Sequence, residues 1–208
     1  MKPLYLIDFD GTLFNSDKFH ADIALFLQNK LGVELSFILE AYKETKAEGK
    51  PHHLKKHLEI LRVQNVKELQ KEVAIYLLSL GNDYLYSDTL QFLNKFSHQF
   101  LIYTFAKPDH YKLKLKVSRL NKFRLPTLMI EDNKNEYLAK NLTIYKNMYG
   151  LGLSRLYPKV YWIDDKIDSF NQNIEGVEFI RIRREGDKYS FEPTPRGVRE
   201  ISTLLELI

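Results

Sequence analysis

The chain has 208 residues, 44% of them hydrophobic, and a formal net charge of +4. That length suits one ordinary domain, or a core domain with a smaller insert. There is no cysteine, which excludes disulfides, thiolate metal sites and a cysteine nucleophile and makes a reducing cytoplasm the simplest expectation. The basic excess would help to draw an anionic substrate but is too small to demand nucleic acid. No charged leader and no long apolar run is visible, so neither a signal peptide nor a membrane span is expected.

The first predicted element is a buried strand over 4–8, from Leu4-Tyr5-Leu6-Ile7, and it runs directly into Asp8-Phe9-Asp10-Gly11-Thr12-Leu13. Residues 14–85 then carry helical periodicity over 17–31, 35–48, 52–62 and 66–80, with no convincing strand. Gly32, Gly49-Lys50-Pro51 and Gly81-Asn82-Asp83 punctuate these stretches as turn or stop signals. An all-helical excursion of this length exceeds what a crossover needs and reads as an inserted cap. Ser87-Asp88-Thr89 opens a helix near 88–97. Further strands are predicted over 99–104, 125–130, 159–164 and 177–182, with helical spacing between them and a closing helix over 195–207. Strands alternating with helices predict an α/β protein with a three-layer Rossmann-like core and a parallel sheet. The expected division is a core of 1–13 and 86–208 and a helical cap of 14–85.

Open parallel sheets bind ligands beyond the carboxyl ends of their strands. Three of the predicted strands end in polar residues there: the first in Asp8 and Asp10, the second in Thr104, the fourth in Asp164-Asp165, with Asp168 a turn later. Side chains alternate along a strand, so Asp8 and Asp10 start on one side while Phe9 points away. Carboxylates crowded in this way repel unless a cation or a shared proton offsets the charge. A hard divalent ion such as Mg2+, which takes oxygen ligands, is the natural partner, and the arrangement suits chemistry on a phosphate.

Taken in this order, Asp8-Phe9-Asp10-Gly11-Thr12-Leu13, Thr104, a later lysine and Asp164-Asp165 resemble the motifs of the haloacid dehalogenase (HAD) superfamily over nearly the whole chain. The resemblance implies a phosphatase type with a helical cap of the C1 kind. It implies Asp8 as the nucleophile of an aspartyl-phosphate mechanism and Asp10 as general acid/base, with the Asp10 backbone carbonyl a metal ligand. Thr104 would donate to a phosphoryl oxygen, helped by the backbone N–H groups of Phe105 and Ala106. Asp165 would hold Mg2+ together with Asp8, and Asp164 would assist directly or through water. Gly11 would permit a tight turn, and the Thr12 hydroxyl would tie into the loop.

The third motif, a lysine that steadies the nucleophile and the phosphoryl group, has Lys134, Lys140 and Lys146 as candidates. Lys146 is preferred, because its distance from the acidic strand resembles the shorter connections of phosphatases acting on polymerase tails, and Lys140 is the alternate. After Thr104 the chain has Phe105 where many relatives carry Asn. Relatives that dehalogenate carbon substrates lack the second acid, so Asp10 favours phosphoryl transfer.

His53 and His57, spaced i,i+4, could share a helix face and read mainly as a polar cap surface, with a metal site the minor option. Lys112, Lys116 and Arg119, and likewise Arg181, Arg183 and Arg184, read as solvated faces with a polyanion-contacting strip as the other option. The leading expectation is a cytoplasmic Mg2+-dependent phosphomonoester hydrolase acting on a small phosphorylated metabolite. The alternatives are a phosphatase of a phosphoprotein or nucleic-acid end, a phosphomutase, and a non-catalytic binding protein on the same scaffold.

Overall fold

Apolar strand sequences bury most readily in the middle of a parallel sheet, and β1 (Leu4–Ile7) is buried along its whole length. The computed structural model describes residues 2–47, 51–81, 83–131, 133–152 and 155–208. In it β1 pairs on one side with β2 (Phe100–Thr104) and on the other with β6 (Val160–Asp164). β2 pairs outward with β3 (Thr127–Met129), and β6 with β7 (Val177–Ile182), which pairs with β8 (Arg199–Ile201). The sheet order is β3-β2-β1-β6-β7-β8, parallel throughout. The register places Ile7 level with Ile102 and with Ile163, so the three polar strand ends leave the sheet at one edge, side by side. Leu4, Leu6, Tyr103, Val160 and Trp162 form one buried cluster with Leu138 and Leu151.

By packing, the chain divides into two units: Met1–Asn15 with Leu85–Phe105 and Leu125–Ile208, and Ser16–Tyr84 with Ala106–Arg124. The first holds the sheet, with α5 (Thr89–Lys95) and α7 (Lys134–Asn141). The second is helical: α1 (Ser16–Leu31), α2 (Leu35–Thr45), α3 (Leu54–Ile60), α4 (Val66–Ser79) and α6 (Pro108–Val117). Phe19, Ile23 and Leu27 of α1 are buried at i, i+4, i+8, as are Leu69, Val73 and Leu77 of α4. These stripes make its core. The helical unit takes in α6, which packs with α4. Among the expected signals, Glu48, Gly49-Lys50 and Asn82 lie outside the described residues. No helix among the described residues is long and apolar enough to cross a membrane.

Three expectations change. In place of a helix over 195–207 there is β8 and a short 3-10 turn, Leu204–Leu207. Gly197 takes a positive φ of 87°, and Thr203 with Glu206 builds a capping box that starts the turn afresh. The helix-like spacing of Val198, Ile201 and Leu204 is thus cut at both ends. The second change is a β-hairpin, β4 (Leu142–Tyr145) and β5 (Met148–Leu151), in a stretch of helical spacing. Its two central residues, Lys146 and Asn147, both have positive φ, 47° and 60°, the conformation of the turns that fit strand twist.

The third concerns the arginines. Arg181 and Arg184 are buried rather than solvated. The Arg181 guanidinium donates to the carbonyls of Glu192 and Tyr189 and to the Thr194 hydroxyl, at 2.6, 2.7 and 2.9 Å. Arg184 donates twice to the Asp88 carboxylate, at 2.7 and 3.0 Å, and to the Thr12 carbonyl at 2.6 Å. Asp88 also accepts from the Thr203 hydroxyl and the Leu204 N–H, each at 2.7 Å. This one carboxylate fastens the end of β7 and the last turn to the start of α5.

Burial alone would push the Asp88 carboxyl up, but the hydrogen bonds from Arg184 and Thr203 outweigh it and hold it below the usual range. A depressed carboxyl stabilises the fold above its unfolded value of about 3.9, and that contribution fades as pH falls through the folded value. Asp88→Asn, which leaves Arg184 buried beside a neutral partner, is expected to cost about 3 kcal/mol at pH 7. Urea unfolding at pH 7 and near pH 3 checks it: the gap between variant and wild type should shrink in acid, and a gap independent of pH would refute the assignment.

Candidate active site

Asp8 follows β1, and its N–H donates to the Ile163 carbonyl at 2.9 Å, fixing the end of β1 against β6. Beyond it the chain turns sharply. The N–H groups of Leu13 and Phe14 both donate to the Phe9 carbonyl, and the Gly11 N–H donates to the Phe14 carbonyl. Gly11 has a φ of 77°, and a Cβ there would overlap the Asp165 carboxylate. Only glycine lets the loop pass this close to that acid.

Asp164 closes β6, with Asp165 next in the chain. Both are buried, as is Asp8. The cation that reaches them comes from an unexpected place, the first residue of α7. Asn133 caps this helix by accepting from the N–H groups of Asn135 and Glu136. The Tyr103 hydroxyl donates to the Lys134 carbonyl at 2.6 Å, which further fixes the helix start. The Lys134 ammonium then stands 2.7 Å from Asp8 Oδ1 and 2.8 Å from Asp164 Oδ2. The Lys166 N–H donates to the other Asp164 oxygen at 3.0 Å.

Charge is unequally shared among the three acids. Burial pushes Asp8 up, against the pull of Lys134. Burial, and then the fields of Asp164 and Asp8, push Asp165 well above the carboxylate range. Asp164 is held below the usual range because Lys134 and Lys166 together outweigh its burial. The ammonium of Lys134 is stabilised despite its own burial, chiefly by Asp164 and Asp8. Lys166 is likewise raised, Asp8, Asp165 and Asp164 overcoming desolvation.

Asp8, Asp164 and Asp165 each offer an oxygen within 4.8 Å of the others. Asp165 Oδ1 is buried with no hydrogen-bond partner among the described residues, an expensive state for a carboxylate oxygen. A hard divalent cation such as Mg2+ fits this all-oxygen set and would satisfy that atom. Thr104, at the end of β2, is also buried, and its Oγ1 has no hydrogen-bond partner among the described residues, which leaves that hydroxyl able to donate. Thr12 Oγ1 is in the same condition, so the expected tie from that hydroxyl into the loop is not made.

Asp8, Asp164 and Asp165 are therefore brought together. Asp10 lies two residues on in the turn, and its side chain is not part of the trio. Phe105 directly follows Thr104 and is half-buried. Lys146 is exposed in the β4–β5 turn, its ammonium 5.3 Å from the Tyr145 ring centre, and Lys140 is exposed in the last turn of α7. The lysine that touches Asp8 is Lys134. The sequence held only a hint of it: Asn133, a few residues beyond β3, is a good helix cap, but no local rule says that the next side chain reaches Asp8. Lys166, adjacent to Asp164-Asp165, was missed as well. Asp168 is exposed in a short 3-10 turn, Ile167–Phe170, and its carbonyl accepts from Asn135 Nδ2 at 3.1 Å.

No family model and no curated protein matches this sequence. Solved structures do share its fold. It is similar to a haloacid dehalogenase-like hydrolase from Burkholderia xenovorans, with a TM-score of 0.69 at 15% identity, over 98% of this chain and 96% of that one. The chain has a HAD-like fold. A second neighbour with this fold is the HAD-hydrolase YfnB from Bacillus subtilis, bound to magnesium (TM-score 0.61, 12% identity, 99% and 96% covered). A third is a HAD phosphatase from Thermococcus onnurineus (TM-score 0.60, 16% identity, 99% and 96% covered). The HAD-like fold here is shared with a dehalogenase too.

If Lys134 is the cation on which the buried acids depend, the two lysines respond differently to truncation. Lys134→Ala, which strands Asp8 and Asp164, is expected to cost about 3 kcal/mol. Lys146→Ala is expected to stay within about 0.5 kcal/mol of wild type. Denaturant midpoints decide, and an unshifted Lys134→Ala midpoint is the contrary result.

Proposed function

We propose that the chain is a Mg2+-dependent phosphomonoester hydrolase that works through an aspartyl-phosphate on Asp8. The observation that carries this reading is the Asp8 carboxylate, buried at the carboxyl edge of the sheet and held by Lys134 beside an acid with an unpaired oxygen. In the first half-reaction an Asp8 oxygen attacks phosphorus while the bond from phosphorus to the leaving oxygen breaks, and Asp10 gives that oxygen its proton. In the second, Asp10 takes a proton from water as the water oxygen attacks phosphorus, which releases phosphate and restores Asp8. Thr104 donates its free hydroxyl to a phosphoryl oxygen. Lys134 offsets the charge that accumulates between Asp8 and the phosphoryl group.

Asp8, Asp165, the Asp10 carbonyl and Asp164, directly or through water, would hold Mg2+, which supplies charge neutralisation for the phosphoryl oxygens. Asp10 favours a phosphoester over a carbon–halogen bond. An alkoxide needs a proton as it departs, whereas a halide leaves without one. The buried position of Asp8, Thr104 and Asp165 favours a compact substrate, a small phosphorylated metabolite.

Phosphate release from sugar phosphates, nucleotides and phosphopeptides, with Mg2+ and with a chelator, tests the proposal. Asp8→Asn is expected to lose at least about 10³-fold in rate, and Asp10→Asn about 10²- to 10⁴-fold. Activity on phosphopeptides alone would transfer the reading to a macromolecular phosphatase. Halide release from a haloacid with no phosphate release from any ester would overturn it.

A further inference from the structure

Five of the six histidines of this chain lie in the helical unit, and four of them touch one another there. His20 comes from α1, His110 from α6, His52 from the segment before α3 and His57 from α3 itself. His110 Nε2 is 3.4 Å from His20 Nε2 and 3.3 Å from His52 Nδ1. His52 Nε2 is 3.3 Å from His57 Nδ1, and His57 Nε2 is 3.0 Å from the Ile38 carbonyl.

The carbonyl decides the tautomers along this chain. Ile38 can only accept, so His57 Nε2 carries the hydrogen, and the neutral ring presents Nδ1 as an acceptor. His52 then donates from Nε2, which leaves the lone pair of its Nδ1 aimed at His110. His110 Nε2 thus faces two nitrogens at once, and one N–H cannot serve both well. Whichever nitrogen of His110 holds the hydrogen, its Nδ1 is buried with no partner among the described residues. Hydrogen bonding alone leaves the cluster unsatisfied.

We propose that His20, His52 and His110 form a binding site for a divalent transition ion of the zinc class. The three rings each offer a nitrogen within 4.8 Å of the others. Zn–N bonds of ~2.0–2.1 Å at a tetrahedral angle separate ligand nitrogens by ~3.3–3.4 Å, which the 3.4 and 3.3 Å spacings match. The outer contacts are those of a metal site. His57, anchored on Ile38, orients His52, and the Tyr42 hydroxyl lies 3.4 Å from His20 Nδ1.

Burial, followed by the neighbouring rings and Lys114, keeps His20, His52 and His110 neutral at pH 7, as ligands must be. Lys114 and Lys46 also oppose a cation, and no carboxylate belongs to the set. A hard ion such as Mg2+, which needs oxygen donors, has no reason to bind here. An ion with affinity for imidazole does. A pocket of about 240 Å³ lined by His53, Asp109 and His110 among others reaches one of the three rings, that of His110.

The test is calorimetric titration of the chelator-treated full chain with Zn2+ in excess Mg2+, which occupies the carboxylates, together with Co2+ absorption spectra. One Zn2+ per chain is expected, with the intense visible bands of four-coordinate Co2+. His57→Gln should weaken Zn2+ by ~10- to 100-fold, the range of an outer partner, and His20→Gln and His110→Gln each by more than ~100-fold. His98→Gln, at an exposed position outside the cluster, should change nothing. His20 is the most exposed of the three, so its variant is expected to disturb packing least, with the denaturant midpoint measured beside the titration. No Zn2+ uptake in excess Mg2+, or uptake unchanged in His20→Gln, overturns the proposal.

Discussion

The rest of this structure depends on how three carboxylates are kept buried together. Asp8, Asp164 and Asp165 converge because β1 lies between β2 and β6 and the parallel register brings the strand ends level. Removing charges from water is costly, and like charges at this separation add to the cost. Lys134 offsets part of it by bridging Asp8 and Asp164, and Lys166 adds its field from the same edge. The residual falls on Asp165, whose carboxyl is pushed furthest upward and keeps an unpaired oxygen. In an apolar sheet with one unsatisfied polar corner, that corner is where a bound cation would gain most.

The surrounding framework serves that corner. Gly11 lets the loop after β1 run against Asp165 without a side chain between. Arg184 holds the same loop by the Thr12 carbonyl and ties it to Asp88, which in turn gathers Thr203 and Leu204. A surface charge run, as Arg181, Arg183 and Arg184 read in the sequence, is thus largely an internal brace. The difference matters for function, because buried guanidinium groups already paired are not available to a polyanion.

The two units carry contrasting donor sets. The sheet unit offers oxygens and two lysines, suited to a hard ion and a phosphate. The helical unit offers neutral imidazoles and no carboxylate in the set, which suits a borderline ion although lysines lie nearby. Neither set can substitute for the other, since ligand hardness and local charge both differ.

Much of the candidate site was legible from sequence, since strand and motif are contiguous there. Leu4–Ile7 followed by Asp8-Phe9-Asp10-Gly11 needs only local rules to read as a strand, two acids and a turn, and the same holds for Thr104 and Asp164-Asp165. The parallel α/β core followed from alternation of strands and helices. What local rules could not supply was which distant side chain would neutralise the acids. Lys134, Lys140 and Lys146 are equivalent in composition, and only the placement of β3 and the cap at Asn133 brings the first of them to Asp8. The hairpin that removes Lys146 depends on two positive φ angles, and β8 forms because β7 offers it an edge. His20, His52, His57 and His110 span 90 residues of sequence, with spacings that predict nothing. Their convergence belongs to helix packing, which sequence periodicity constrains to a face but not to a partner. The sequence by itself determined the acids and the sheet that presents them, because those are properties of neighbouring residues. The tertiary structure alone decided the cation that balances them and the ring cluster of the helical unit, because both require contacts between residues that the chain keeps far apart.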